Sequence, residues 1–187
     1  MFIQTENTPN PAVLKFLPGR ELVKSGVREF RDAGEAAASP LARALFDLDG
    51  VSRVFFGADF LTVTKTDEHD WSYMKAPILA AIMDHFTSDA PLLADAEEAE
   101  AEPVYEGETA QIVAEIKDLL DSRIRPAVAQ DGGDILFSHF EADTGVVYLH
   151  MRGACSGCPS SSATLKAGVE NMLRHYVPEV TRVEQTL

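Results

Sequence analysis

At 187 residues, with 45% hydrophobic and 25% charged residues, the chain has the balance of a folded protein with room for two small domains, which excludes disorder throughout. Its 16 basic and 30 acidic residues give a net charge of −14, which opposes phosphate backbones and anionic lipid and excludes nucleic acid as an expected partner. No apolar run approaches bilayer length, and MFIQTENTPNP lacks the basic and apolar regions of a signal peptide; the protein is therefore expected in the cytoplasm, or inside an organelle such as the mitochondrial matrix after processing.

In chain order, Phe2 to Glu6 and Ala12 to Leu17 read as short strands joined by the turn-forming NTPNP, a hairpin. Ser39 before Pro40 supplies an N-cap and a first-turn proline for a helix through Leu41, Leu45 and Phe46, and Asp49-Gly50 marks a turn. A second hairpin is expected from Val51 to Phe56 and Phe60 to Thr66 around Gly57-Ala58-Asp59. Pro77 then opens a helix whose Ile78, Ile82 and Phe86 share one face. The result is a small α+β domain, 1–93, with no cysteine and with Trp71 and its phenylalanines in the core.

Residues 94–108, ADAEEAEAEPVYEGE, hold 0 basic and 7 acidic residues and little to bury, and are expected to be a solvated acidic linker. No internal repeat relates the segments on either side. In 109–187, Ile112, Ile116, Leu119 and Leu120 line one side of a helix running to about Ala129. Asp131-Gly132-Gly133-Asp134 ends it, because glycine permits the positive φ of a C-terminal cap. Strands Ile135 to Glu141 and Val146 to Arg152 follow across Asp143-Thr144-Gly145, then Gly153-Ala154-Cys155-Ser156-Gly157-Cys158-Pro159. A helix with Leu165, Val169, Met172 and Leu173 inward and a strand from Val180 to Gln185 close the domain. The fold class is α+β, two small domains, the second in the order helix, strand, strand, helix, strand.

The chain has 2 cysteines in total, Cys155 and Cys158, and a disulfide across so short a loop would remove little entropy from the unfolded chain. A metal or redox site between a strand and a helix is the stronger reading. Pro159 at the first helical position makes Cys158 the expected N-cap, where free N–H groups and the helix dipole favour a thiolate. Ser160, Ser161 and Ser162 can add hydroxyls, and Gly157 lets backbone N–H groups approach sulfur. A bare C-x-x-C is shared by thiol-disulfide oxidoreductases, zinc sites and iron-sulfur sites. Tetrahedral zinc and cubane clusters want four protein ligands, so either histidines complete the set, as in a zinc or mononuclear iron module using His150 or His175, or a second copy does. A twofold dimer would supply four equivalent thiolates and one shared cluster, exposed enough to pass on by ligand exchange. An oxidoreductase of thioredoxin type would need more elements after the motif than one helix and one strand.

His69, His85 and His139 lack partner spacing and read as surface or partly buried groups, and Asp131 and Asp134 as turn and capping residues. Arg152 and Lys166 are either solvated or near enough to offset negative charge at the loop. No phosphate loop, nucleophile elbow or HExxH is present, and no enzyme activity is expected.

Arg125-Pro126, the Asp131-Gly132-Gly133-Asp134 turn and Gly153-Ala154-Cys155-Ser156-Gly157-Cys158-Pro159-Ser160-Ser161 together resemble the NifU-like C-terminal domain of the Nfu family. Gln4 to Pro11, Lys15-Phe16, and Trp71 with Lys75 to Phe86 resemble the Nfu N-terminal domain. The resemblance implies a 4Fe-4S cluster bridged between two subunits in a homodimer, with Cys155 and Cys158 as cofactor-binding metal ligands. It also implies an upstream cluster donor and delivery to client apoproteins such as lipoyl synthase, aconitase-type hydratases and respiratory subunits. The first domain, without cysteine, is then expected to dock clients.

Overall fold

The computed structural model describes residues 2–24, 26–94, 103–156 and 159–186, with the backbone but not the side chains of 159–162. Its contacts divide the chain into two compact units, Met1–Glu98 and Ala99–Leu187. Among the described residues no helix is long and apolar enough to cross a membrane.

Among its described residues the first unit is an antiparallel sheet in the order β1-β2-β5-β4-β3 with two α-helices and a 3-10 turn at Glu35–Ala38. Strands β1 (Gln4–Asn7) and β2 (Val13–Leu17) form the expected first hairpin, and β4 (Val51–Phe56) and β5 (Leu61–Lys65) the second. The edge strand β3 (Arg28–Phe30) has no counterpart in the sequence reading; three residues are too few to show an alternating pattern. Helix α1 (Pro40–Phe46) starts as expected, with Ser39 Oγ accepting from the Ala42 N–H at 3.2 Å. Helix α2 (Trp71–Thr87) corrects the expectation that Pro77 opens it. Asp70 is the cap, accepting from the Ser72 N–H at 2.8 Å, and Pro77 lies within the helix. Leu14, Phe16, Leu41, Leu45, Val54, Phe56, Ile78 and Ile82 fill the core between sheet and helices.

The second unit has the expected order. Helix α3 (Gly107–Leu119) passes through a π-helical turn at Leu120–Ile124 into α4 (Arg125–Gln130). Strands β6 (Gly133–Glu141) and β7 (Val146–Gly153) pair antiparallel, and helix α5 (Pro159–Tyr176) carries the chain to β8 (Arg182–Thr186), parallel to β7. Gly132 has φ 81° and caps the helix as its position in the Asp-Gly-Gly-Asp turn predicts.

The π turn was not legible, and it has a local cause. Pro126 has no N–H, and its ring excludes a close carbonyl one turn back; the widened turn lets the Arg125 N–H reach Leu120 O, five residues earlier. The segment 94–108 also needs correction at its C-terminal end. Tyr105 packs against the second core and against the Phe137 ring, and its hydroxyl accepts from the Phe140 N–H at 2.8 Å. Residues 107–108 are already helical, so the stretch that reads as solvated from 103 on includes an anchor of the second unit. Residues 95–102 lie outside the described residues.

Candidate metal centre

Antiparallel pairing sets Gly133 opposite Gly153 and Asp134 opposite Arg152, which brings the end of α4 beside the end of β7. Gly153 has φ 67°, a conformation glycine adopts without steric cost, and it turns the chain out of β7. The Ala154 N–H then donates to Gly132 O at 3.1 Å, joining the loop to the helix cap. Gly153 O accepts from both the N–H (3.1 Å) and the hydroxyl (2.9 Å) of Ser156. These bonds leave Cys155 6% exposed, packed into the same core as Val128, Ile135 and Met151.

Gly133 makes that seat. A Cβ there would lie 2.5 Å from Cys155 Sγ and 2.8 Å from Arg152 O, closer than carbon approaches either atom. The second glycine of the turn is thus needed for room, and the first for helix capping. Asp134, 4% exposed, takes a two-pronged contact from Arg125, Nε to Oδ1 at 2.9 Å and Nη2 to Oδ2 at 2.8 Å. Arg125 Nη1 also donates to Asp121 Oδ1 at 2.9 Å, and the Ile135 N–H donates to Asp134 Oδ1 at 2.9 Å. Hydrogen bonding to Asp134 above all holds the Arg125 proton more firmly than usual.

Burial, and then the charges of Asp131 and Asp134, push the Cys155 thiol up to about 12. At neutral pH this sulfur carries its proton in the cluster-free chain, and it is a different sulfur from the thiolate expected at the helix start. That expectation was built on Cys158, which with Gly157 lies outside the described residues, as do the side chains of Ser160, Ser161 and Ser162. Pro159 does open α5, as its residue type predicts.

Among the described residues no three His, Cys, Asp or Glu side chains converge to hold a metal. His150 lies in β7 with Leu136 opposite, and His175 sits edge-on to Tyr176. His139 stacks on Tyr148, ring centroids 4.1 Å apart. Lys166 is taken by Glu184 at 2.8 Å, whereas Arg152 has a buried Nε with no hydrogen-bond partner among the described residues. His85 in the first unit is 7% exposed, deeper than the surface or partly buried position expected of it. Asp134 acts structurally, as its place in the turn suggested. Its partner Arg125 was legible only as part of a motif, because nothing in sequence spacing couples positions nine apart across a helix end.

A family model described as "Scaffold protein Nfu/NifU N terminal" matches residues 3–89, and one described as "NifU-like domain" matches residues 116–184. The chain is 52% identical over 186 residues to "NifU-like protein 4, mitochondrial" of Arabidopsis thaliana, covering 99% of this chain and 66% of that protein. It is 49% identical over 188 residues to the human "NFU1 iron-sulfur cluster scaffold homolog, mitochondrial", covering 100% of this chain and 72% of that protein. The chain thus spans about two-thirds of the length of these relatives. Among solved structures, a NifU-like protein from Saccharomyces cerevisiae aligns with 51% of this chain and 86% of its own, at 26% identity and a TM-score of 0.46.

Proposed function

Because the chain belongs to the Nfu/NifU scaffold family, we propose that it carries a 4Fe-4S cluster shared by two copies and passes it to client apoproteins. Cys155 and Cys158 of each copy are the ligands. The observation that carries this reading is the seat of Cys155, a sulfur held against Gly133 at the junction of β7 and α5, in a chain whose 2 cysteines cannot by themselves satisfy a cubane. A second copy supplies the missing pair with equal geometry.

Ligation requires Cys155 Sγ to give up the proton that burial holds on it, so cluster uptake releases protons. When a client's thiolates displace this chain's sulfurs, the proton returns to Sγ. The exchange changes metal–sulfur bonds without net oxidation or reduction, and the protein acts as a carrier rather than an enzyme. The first unit, without cysteine, serves client docking. The relatives whose names place them in mitochondria favour an organelle interior over the cytoplasm.

The test is the content of iron and acid-labile sulfide per chain in the size-resolved dimer after anaerobic reconstitution. About two of each per chain is expected for one shared four-iron cluster. About one metal and no sulfide would replace the reading with a mononuclear site completed by histidine.

A further inference from the structure

Three observations meet beside Cys155. The first is the π turn at Leu120–Ile124. One extra residue in a helical turn rotates the downstream residues by about 100° relative to an uninterrupted helix. Arg125, the first residue after it, has Asp121, four residues back, on one side and Asp134 on the other.

The second is the completeness of the fork. Both oxygens of the Asp134 carboxylate are bound by Arg125, and one of them also by the Ile135 N–H, so the carboxylate of a residue 4% exposed has a fixed orientation. A bidentate guanidinium–carboxylate contact is directional in a way that a lysine ammonium, a point charge on a flexible stem, does not reproduce. The third is adjacency. Asp134 directly follows Gly133, the residue on which Cys155 Sγ rests, and is paired with Arg152, whose carbonyl closes the other side of the same space.

We propose that Arg125 is a positioning residue for Cys155: its fork on Asp134 fixes the start of β6, and with it the glycine floor against which the sulfur is held in place. The consequence for the cluster rests on the carrier function proposed above, while the positioning of the sulfur is a property of the cluster-free chain. Charge alone does not perform the role. Arg125→Lys keeps the charge and loses the fork.

The experiment uses the full chain and the variants Arg125→Lys, Asp134→Asn and their combination. In the reduced, cluster-free protein, iodoacetamide alkylation of Cys155 is followed by peptide mass analysis, with amide exchange in β8 and the urea midpoint as measures of the general fold. Arg125→Lys is expected to alkylate Cys155 about ten- to a hundredfold faster, the range set by losing a hydrogen bond to a charged group. Exchange in β8 should stay near that of the parent, which a merely structural role would not allow. The combined variant should be no faster than the faster single one, because both substitutions cut the same contact. On the reconstituted dimer, Arg125→Lys should lose its cluster to a chelator faster by a similar factor.

Parental alkylation of Cys155 in Arg125→Lys would overturn the proposal, as would additive effects in the combination. If Arg125→Lys does not fold, Arg125→Gln with Asp134→Asn, which leaves no buried charge uncompensated, takes the same measurements with the same criteria. If the parent chain takes up no cluster, the carrier function fails, and the alkylation rates still decide the role of Arg125.

Discussion

The first unit buries Phe16, Phe55, Phe56, Leu41, Leu45, Ile78 and Ile82 completely, and its sequence contains no cysteine. The second, with three strands, runs its core up to Cys155, so that the sulfur proposed to bind metal belongs to the same packed cluster as Ile135, Met151 and Val128. In the first unit a packing error costs stability. In the second it also moves the sulfur proposed as a ligand, because Cys155 belongs to the core cluster itself. Next to the cysteine sit a glycine, with no Cβ to fill the space, and a part-buried arginine–aspartate fork.

The largest expected contrast is all or none. Cys155→Ser should abolish cluster binding while leaving amide exchange in residues 4–65 unchanged, and removing residues 1–93 should leave cluster binding intact and slow delivery to a client. Cluster loss on that truncation, read by absorbance and iron content, would show that the first unit helps build the site. Next, Phe16→Ala, at a residue with 0% exposure, should destabilise the first unit by about 3–5 kcal/mol in urea unfolding without changing iron content. Gly133→Ala should destabilise the second unit by about 1–3 kcal/mol, since a Cβ at 2.5 Å from Sγ must push the sulfur or the strand aside, and should reduce iron and sulfide per chain.

The effects of pH have opposite signs in the two units. Burial, and then the charge of Arg20, lower the His85 pKa below its ordinary 6.5, so the fold prefers the neutral ring. The stability it contributes is full above about 6.5 and is lost as pH falls through the lowered value, because there the unfolded chain binds the extra proton. Cys155 runs the other way. Its thiol, raised from 9.0 to about 12, contributes stability that is full below 9.0 and is lost as pH rises toward about 12. Urea midpoints of the cluster-free chain, read separately in each unit, should fall on the acid side in the first and on the alkaline side in the second. The same sign in both would mean that other groups govern the response.

Much of this contrast was legible in the sequence. Both hairpins of the first unit, the Ser39 cap and the helix-strand-strand-helix-strand order of the second follow from local residue types: alternating apolar positions, Asn-Pro and Asp-Gly turns, a serine before proline. The features that escaped depend on distant partners. Tyr105 looks solvated in an acidic run until its hydroxyl is seen on the Phe140 N–H, and Asp70 rather than Pro77 opens α2 because the side-chain cap decides the start while the helix accommodates the proline. At the site, the motif residues were apparent, and so was a glycine cap in the Asp131–Asp134 turn, which Gly132 supplies. The room made by Gly133 and the orientation of Arg125 depend on strand pairing and a π turn, neither of which has a local signature.

The central claim is that two chains share one cluster through Cys155 and Cys158, and native mass spectrometry of the anaerobically reconstituted full chain tests it most directly. The account predicts a dimer heavier than two chains by one four-iron, four-sulfide cluster, reverting to cluster-free chains when Cys155→Ser is substituted. A monomer carrying a cluster of its own, or a species with metal and no sulfide, would contradict it.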